Sequence, residues 1–327
     1  FLYDNDADGL CSYVLFRRYL GRGKGVAVRT YPEIDIGYAK KIQELGADYV
    51  FVLDKPFLGT AFLQELENLH LPIVWIDHHL VDRSKYTYSN LIVYNSADKK
   101  GKAEPVTALA YQITKRVEDL WIAMMGCIAD HHWPSFSNEF SKLYPDFWIK
   151  KKTKKPFDIY YSSEIGLVAR AIGFGLKDSV SHVVYLQNLL ISSKNPGDLM
   201  KDLESNSSFG VKYREIRHRY DSLLSETESL FGKKFIFFKY GGAMSMSSDL
   251  ANELSYKNPR SYVVVAYQNG AVNNLSLRGK DVRKFVEKML PKFPGSSGGG
   301  HKNAVGVRIA TKDLDEFEIM LKEIIGK

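Results

Sequence analysis

The stretch "PIVWIDHHLV", Pro72–Val81, sets an unbroken apolar run against a carboxylate and two adjacent imidazoles. Ile-Val-Trp-Ile has no polar alternation, so it reads as a strand buried on both faces, as in parallel sheets covered by helices. The same order occurs twice upstream. "YVFVL" runs into Asp54, and "FLY" runs into "DNDADG", Asp4–Gly9. Between them lie "LCSYVLFRRYL" (Leu10–Leu20) and "TAFLQELENL" (Thr60–Leu69), apolar at helical spacing. This alternation predicts an α/β fold with a mainly parallel sheet flanked by helices. Ligands of such sheets gather beyond the carboxyl ends of the strands. The chain order therefore brings Asp4, Asp6, Asp8, Asp54, Asp77, His78 and His79 to one edge.

Five carboxylates at one edge repel and raise one another's pKa, a conflict that divalent cations resolve. Oxygen ligands with one or two imidazoles suit Mn²⁺ or Mg²⁺ better than thiolate-seeking metals. So many ligands exceed the needs of one ion and point to a pair with a shared carboxylate. "DNDADG" also opens like a calcium-binding EF-hand loop, but that loop needs a preceding helix and a Glu at its twelfth position, where Leu15 stands.

Asp-His-His recurs at Asp130-His131-His132, after "MMGCIA". Around it, a helix-rich stretch from about Pro105 to Leu203 leads into the polar turns "SSKNPGD" and "ESNSSFG" and a charged helical segment, Lys212–Leu230. From Lys233 the alternation restarts as a compact α+β unit. The expected division is 1–205 catalytic, 206–232 helical connector and 233–327 a smaller substrate-binding domain. In the last, "GSSGGGHKNAVG" offers glycines whose amides can converge on a phosphate. A linker of that composition has no reason to precede His301 and an apolar strand. "NNLSLRG" carries Ser276 and Arg278, a guanidinium fork suited to phosphate. "KKKTKK", Lys150–Lys155, reads as solvated surface or as a track for backbone phosphates.

The 327 residues carry a formal net charge of +7, which favours polyanionic partners. Two cysteines, Cys11 and Cys127, exclude a disulfide framework and fit a reducing, cytoplasmic setting. No apolar run approaches the roughly 20 residues of a membrane span. The sequence opens at Phe1 without Met, and any targeting segment upstream lies outside what it shows.

Asp4-x-Asp6-x-Asp8-Gly9, the strand-end Asp54, Asp77-His78-His79, Asp130 and Gly298-Gly299-Gly300-His301, in this order, resemble the motifs of the DHH/DHHA1 phosphoesterases over nearly the whole chain. The resemblance implies one metal held by Asp4, Asp6 and Asp54 and another by Asp8, Asp54, His78 and Asp130, with Asp54 bridging and Mn²⁺ ahead of Mg²⁺. In many relatives a histidine stands at the Asp4 position. Asp77 would orient its neighbouring imidazole, and His79 would reach the scissile phosphate. His131 and His132 would lie outside the ligand set. Ser276, Arg278 and Gly298–His301 would hold the substrate's terminal phosphate or sugar, with the end of the strand clamped between the two domains.

The implied reaction is in-line attack on phosphorus by a metal-activated water. The implied substrate is single-stranded nucleic acid or a short oligonucleotide, cut from one end. Full-size RecJ proteins add an OB-fold, which residues 233–327 leave no room for; that favours short substrates or recruitment by a replication or repair partner. The alternatives are hydrolysis of a small nucleotide such as 3′-phosphoadenosine phosphate or a cyclic dinucleotide, and an inactive replication scaffold. A family-II pyrophosphatase shares the first domain but lacks the Gly-Gly-Gly-His stretch.

Overall fold

The structure, a computed structural model, describes residues 1–97 and 103–326. It divides into two compact units, Phe1–Arg214 and Glu215–Lys327, and the division falls within one helix, Ser208–Glu226. That helix fills most of the segment expected to connect the domains.

The strands of the first unit are β1 (Leu2–Asp4), β2 (Val26–Val28), β3 (Glu33–Ile34), β4 (Val50–Leu53), β5 (Phe57–Leu58), β6 (Ile73–Asp77) and β7 (Leu91–Asn95). Five of them form one sheet in the order β2-β1-β4-β6-β7, parallel throughout, while β3 and β5 pair separately. Consecutive strand residues point to opposite faces, and here both faces are covered. Leu2, Val52 and Trp75 pack with Ile42, Phe62 and Leu66 from the helices Gly37–Glu44 and Thr60–Asn68. Tyr3, Leu53 and Ile76 pack on the other face with the helices Ala7–Leu20 and Leu120–Ala129. Hence the unbroken apolar runs. The edge strands β2 and β7 have no counterpart in the sequence reading. "LIVY" carried a signal for β7, whereas three residues of β2 carry almost none.

From β1 the chain steps outward to β2, then returns to the other side of β1 with β4. Loops at the carboxyl ends of β1 and β4 thus diverge and leave a crevice. Asp4 ends β1, Asp54 follows β4 and Asp77 ends β6.

The second unit has one sheet of β8 (Phe235–Gly241), β9 (Tyr262–Asn269), β10 (Val272–Arg278), β11 (Ser297–His301) and β12 (Ala304–Ala310), in the order β11-β12-β10-β9-β8. Only β8 and β9 run parallel. Leu275 and Leu277 face the core formed with Val286 and Phe317 from the helices Val282–Met289 and Leu314–Gly326. The mainly parallel sheet and the smaller α+β unit are both as expected. No helix among the described residues is long and apolar enough to cross a membrane.

Candidate metal centre

Asp6 caps the helix Ala7–Leu20, its Oδ1 accepting the Gly9 amide at 2.9 Å. Position 9 must be glycine, because a Cβ there would lie 2.4 Å from the Asp4 carbonyl oxygen. This tight turn sets Asp4, Asp6 and Asp8 around one helix start. Asp8 is 2% exposed, and its two carboxylate oxygens accept the amides of Val106 (2.9 Å) and Thr107 (2.8 Å). Those amides open the helix Val106–Thr114, whose N-terminal dipole favours a negative charge.

Asp54, 2% exposed, has φ of 60°. Left-handed backbone is strained for residues with a Cβ, though Asp and Asn tolerate it best, and such strain clusters at functional sites. The turn brings Asp54 Oδ1 within 3.2 Å of His78 Nε2 and 4.0 Å of His79 Nδ1. His78 Nδ1 lies 3.8 Å from Asp130 Oδ2. Asp130 caps the C-terminus of the helix Leu120–Ala129.

Two sets of possible metal-ligating atoms result, each within 4.8 Å: Asp54, His78 and His79, and Asp8, His78 and Asp130. Asp54 Oδ1 is buried and accepts no hydrogen bond. A buried acceptor without a donor, among further carboxylates, fits a cation. In these sets the shared residue is His78, whereas the expected sets shared Asp54 and placed His79 apart.

The electrostatics agree. Loss of hydration, followed by the charges of Asp4 and Asp8, pushes Asp6 up to about 7. Asp6 is exposed as a residue, but protein atoms crowd its carboxylate. Burial and then Asp8 and Asp6 hold Asp54 and Asp130 well above the carboxylate range. For His79, burial acts downward, but its hydrogen bond to Asp77 and that charge outweigh it, leaving the ring raised. Cys127 is excluded as a nucleophile, because burial pushes its thiol far up.

Asp77, with no exposed surface, is an anchor. Its Oδ1 lies 2.8 Å from His79 Nδ1, and its Oδ2 takes a guanidinium N–H of Arg83. Arg83 also bonds the His79 carbonyl at 3.0 Å and lies 4.7 Å from the Trp75 ring. The neighbour that Asp77 orients is thus His79.

Sequence reasoning missed Lys55. Only 2% exposed, it donates to Asp4 Oδ1 and the Thr30 carbonyl, both at 3.0 Å. A lysine after the strand-end aspartate was the available signal. Asp4 is thereby held in an ion pair and stands in neither ligating set.

In the second unit, Ser276 lies opposite Gly306, which lies opposite Gly299; Arg278 and His301 both face Ala304. Residues directly opposite share a sheet face, so Ser276, Arg278 and His301 sit on the face away from Leu275 and Leu277. Arg278 Nε donates to Asn252 (2.6 Å) and its Nη2 to Ser248 (3.0 Å), which fixes the fork. The glycine stretch departs from the expected loop. Gly298–His301 form the edge strand β11, because a hairpin pairs them with β12. At Gly300, φ is 144° and a Cβ would meet the Ala304 carbonyl oxygen at 2.4 Å. As an edge strand, β11 gives alternate amides to β12 and turns the others to its open side.

Metal binding is testable by melting. Unfolded carboxylates titrate near 4, so at pH 6 folding takes up protons on the raised groups, and that contribution is lost as pH rises through about 7. The metal-free protein is expected to melt lower at pH 8 than at pH 6. Added Mn²⁺, which displaces those protons, should raise Tm more at pH 8. At a thousandfold excess over Kd the gain is about 4 kcal/mol. Scanning calorimetry with Mn²⁺ and with EDTA reads this out; equal melting at both pH values would remove the clustered charge.

Residues 232–327 match the family described as the DHHA1 domain. No curated protein matches the chain in sequence. Among solved structures, it is similar to RecJ in complex with Mn²⁺ from Thermus thermophilus, at 15% identity and a TM-score of 0.66 over 99% of this chain. The chain spans only 51% of that RecJ. A DHH domain described as belonging to a family of ribosomal proteins aligns with a TM-score of 0.69, at 13% identity, over 99% of this chain and 85% of its own. CDC45 from Entamoeba histolytica gives 0.51 at 12% identity, over 100% and 95%. At such identities the likeness is one of fold.

Proposed function

From a chain that has the fold of the DHH proteins and carries a DHHA1 domain, we propose a two-metal phosphodiesterase that releases mononucleotides from an end of single-stranded nucleic acid or of a short oligonucleotide. The observation that carries this reading is the pair of possible ligating sets, Asp54, His78 and His79 and Asp8, His78 and Asp130, that meet at His78.

In this reading Asp8, Asp54, His78 and Asp130 would hold one cation, and Asp6 and Asp54, with Asp4 beside them, would hold another, Mn²⁺ ahead of Mg²⁺. When bound, such ions supply Lewis acidity and an activated water for attack on phosphorus. The protein's own groups do the rest. Asp77 and Arg83 fix the His79 ring, which would offer an N–H to a phosphate oxygen. Ser276, the Arg278 fork, Gly298–Gly300 and His301 hold the terminal phosphate or sugar. Long substrates would come through a replication or repair partner in the cytoplasm.

One observation favours a second reading. The Lys55–Asp4 pair reduces the ligand set, as a single-ion or non-hydrolytic protein would require. Mn²⁺ titration separates these, with two ions per chain expected. A 20-mer labelled separately at each end, incubated with Mn²⁺, Mg²⁺ or EDTA, should yield mononucleotides from one end only. A cleaved dinucleotide beside an intact 20-mer would transfer the activity to small nucleotides. Two intact substrates would leave the scaffold.

A further inference from the structure

His131 of the second Asp-His-His and the lysine run remain without a role, and the helix Pro156–Ser162 joins them. We infer that His131, Phe157, Tyr161 and the loop Lys150–Lys155 form a track for single-stranded nucleic acid that begins beside Asp130. The inference rests on the hydrolase reading and deepens it, by placing the part of the strand that is not being cut.

Asp130 keeps 37% of its side chain exposed although protein atoms crowd its carboxylate, so it stands at the rim of the metal centre. His131 follows with φ of 54°, a turn that swings its ring away from the carboxylates and onto Phe157, with centroids 4.1 Å apart. Phe157 begins an aromatic pair on the helix Pro156–Ser162. Tyr161 lies one turn further along, where side chains four residues apart meet. The two rings are nearly parallel, 6° apart, with centroids separated by 6.0 Å. Tyr160 packs against the apolar core of the unit, and Phe157 and Tyr161 keep partial exposure. Arg170 spreads its guanidinium 5.6 Å from the Tyr160 and Tyr161 rings.

The lysines are locked to this helix. Thr153 Oγ1 donates to the buried Asp158 at 2.6 Å, and the Lys155 amide donates to Thr153 Oγ1 at 3.0 Å. Lys151 lies 3.9 Å from Asp158, while Lys150, Lys152, Lys154 and Lys155 have no carboxylate within 4.0 Å among the described residues. Solvated lysines and surface aromatics are each ordinary when found alone. Here one buried aspartate ties the lysine-bearing loop to the helix that carries the rings, and that helix meets the residue next to a proposed metal ligand. Aromatic faces for bases beside cations for phosphates is the composition that binds single strands without regard to sequence.

The test uses the whole chain in EDTA, with fluorescein-labelled oligothymidylates of 4 and 16 nucleotides read by anisotropy. The 16-mer should bind more tightly than the 4-mer. Phe157→Ala with Tyr161→Ala should weaken the 16-mer about tenfold or more and shrink that length advantage. Phe157→Tyr with Tyr161→Phe should retain it, which a loss of the hydroxyl pattern alone would not explain. Lys152→Ala, Lys154→Ala and Lys155→Ala together should lower the salt slope of 16-mer binding by about 2. Folding is checked by circular dichroism. Should the aromatic variant unfold, the exposed lysine triple decides alone.

Unchanged 16-mer affinity and salt slope in folded variants would overturn the track. Wild-type hydrolysis of a dinucleotide is measured alongside. Hydrolysis with unaltered 16-mer binding removes the track and leaves the metal centre. Variant-sensitive binding without any hydrolysis leaves the track and removes the hydrolase.

Discussion

Asp54→Asn is expected to abolish turnover without unfolding the protein. The carboxylate proposed to stand between the two cations becomes an amide, neutral and a poorer ligand. Several kcal/mol of transition-state stabilisation are lost with it, a fall on the order of 10³-fold or more in kcat. Asn is the right replacement because it tolerates the left-handed backbone at φ of 60°, where Ala would add strain of about 1 kcal/mol. The stability effect carries a definite sign. Asp54 is buried among Asp8, Asp6 and Asp4, which hold its proton on. Wild type must hold a proton there to avoid repulsion, at a cost that grows with pH, whereas the amide is neutral without one, so the metal-free variant should melt at or above wild type, while its stabilisation by Mn²⁺ shrinks. Hydrolysis of a labelled oligonucleotide and calorimetry in EDTA and Mn²⁺ measure both. Near-normal turnover would remove the central role of Asp54.

Asp8→Ala should fail in the opposite way, through the fold. The Asp8 carboxylate accepts the amides of Val106 and Thr107, and the Thr107 hydroxyl donates to the Asp8 carbonyl at 2.9 Å. Truncation leaves two amides at a buried helix start without acceptors, each costing about 1–3 kcal/mol. The expected loss is therefore roughly 2–6 kcal/mol in metal-free protein, read by urea denaturation. Asp8→Asn should recover about half of this, since its carbonyl oxygen accepts one amide while its NH₂ group faces the other. A metal-free Asp8→Ala protein as stable as wild type would show that those amides find water. Activity should be lost in both variants, so stability and not turnover distinguishes the anchoring role from the ligand role.

Much of the fold is legible in the sequence because it is written locally. Apolar runs without alternation mark strands covered on both sides, and Leu2/Tyr3, Val52/Leu53 and Trp75/Ile76 do split between two cores. The edge strands β2 and β7 escape that reading. β2 has only three residues, and β7 alternates half-buried with exposed residues instead of running unbroken through the core. The glycine stretch Gly298–Gly300 misled for a related reason. Composition permits either a nest or a strand, and only pairing with β12 chooses.

By itself, the sequence determined that acidic residues close three parallel strands, since strand direction and the residue after each strand are local properties. Which partner each acid takes was decided by tertiary structure. Lys55 meets Asp4 across 51 residues, Val106 and Thr107 meet Asp8 across almost a hundred, and His131 turns from Asp130 to Phe157. Such meetings depend on strand order, helix placement and backbone turns of tens of degrees, which no spacing along the chain encodes. A residue's type is inherited from the sequence, but its charge state and its contacts belong to the neighbours that folding supplies.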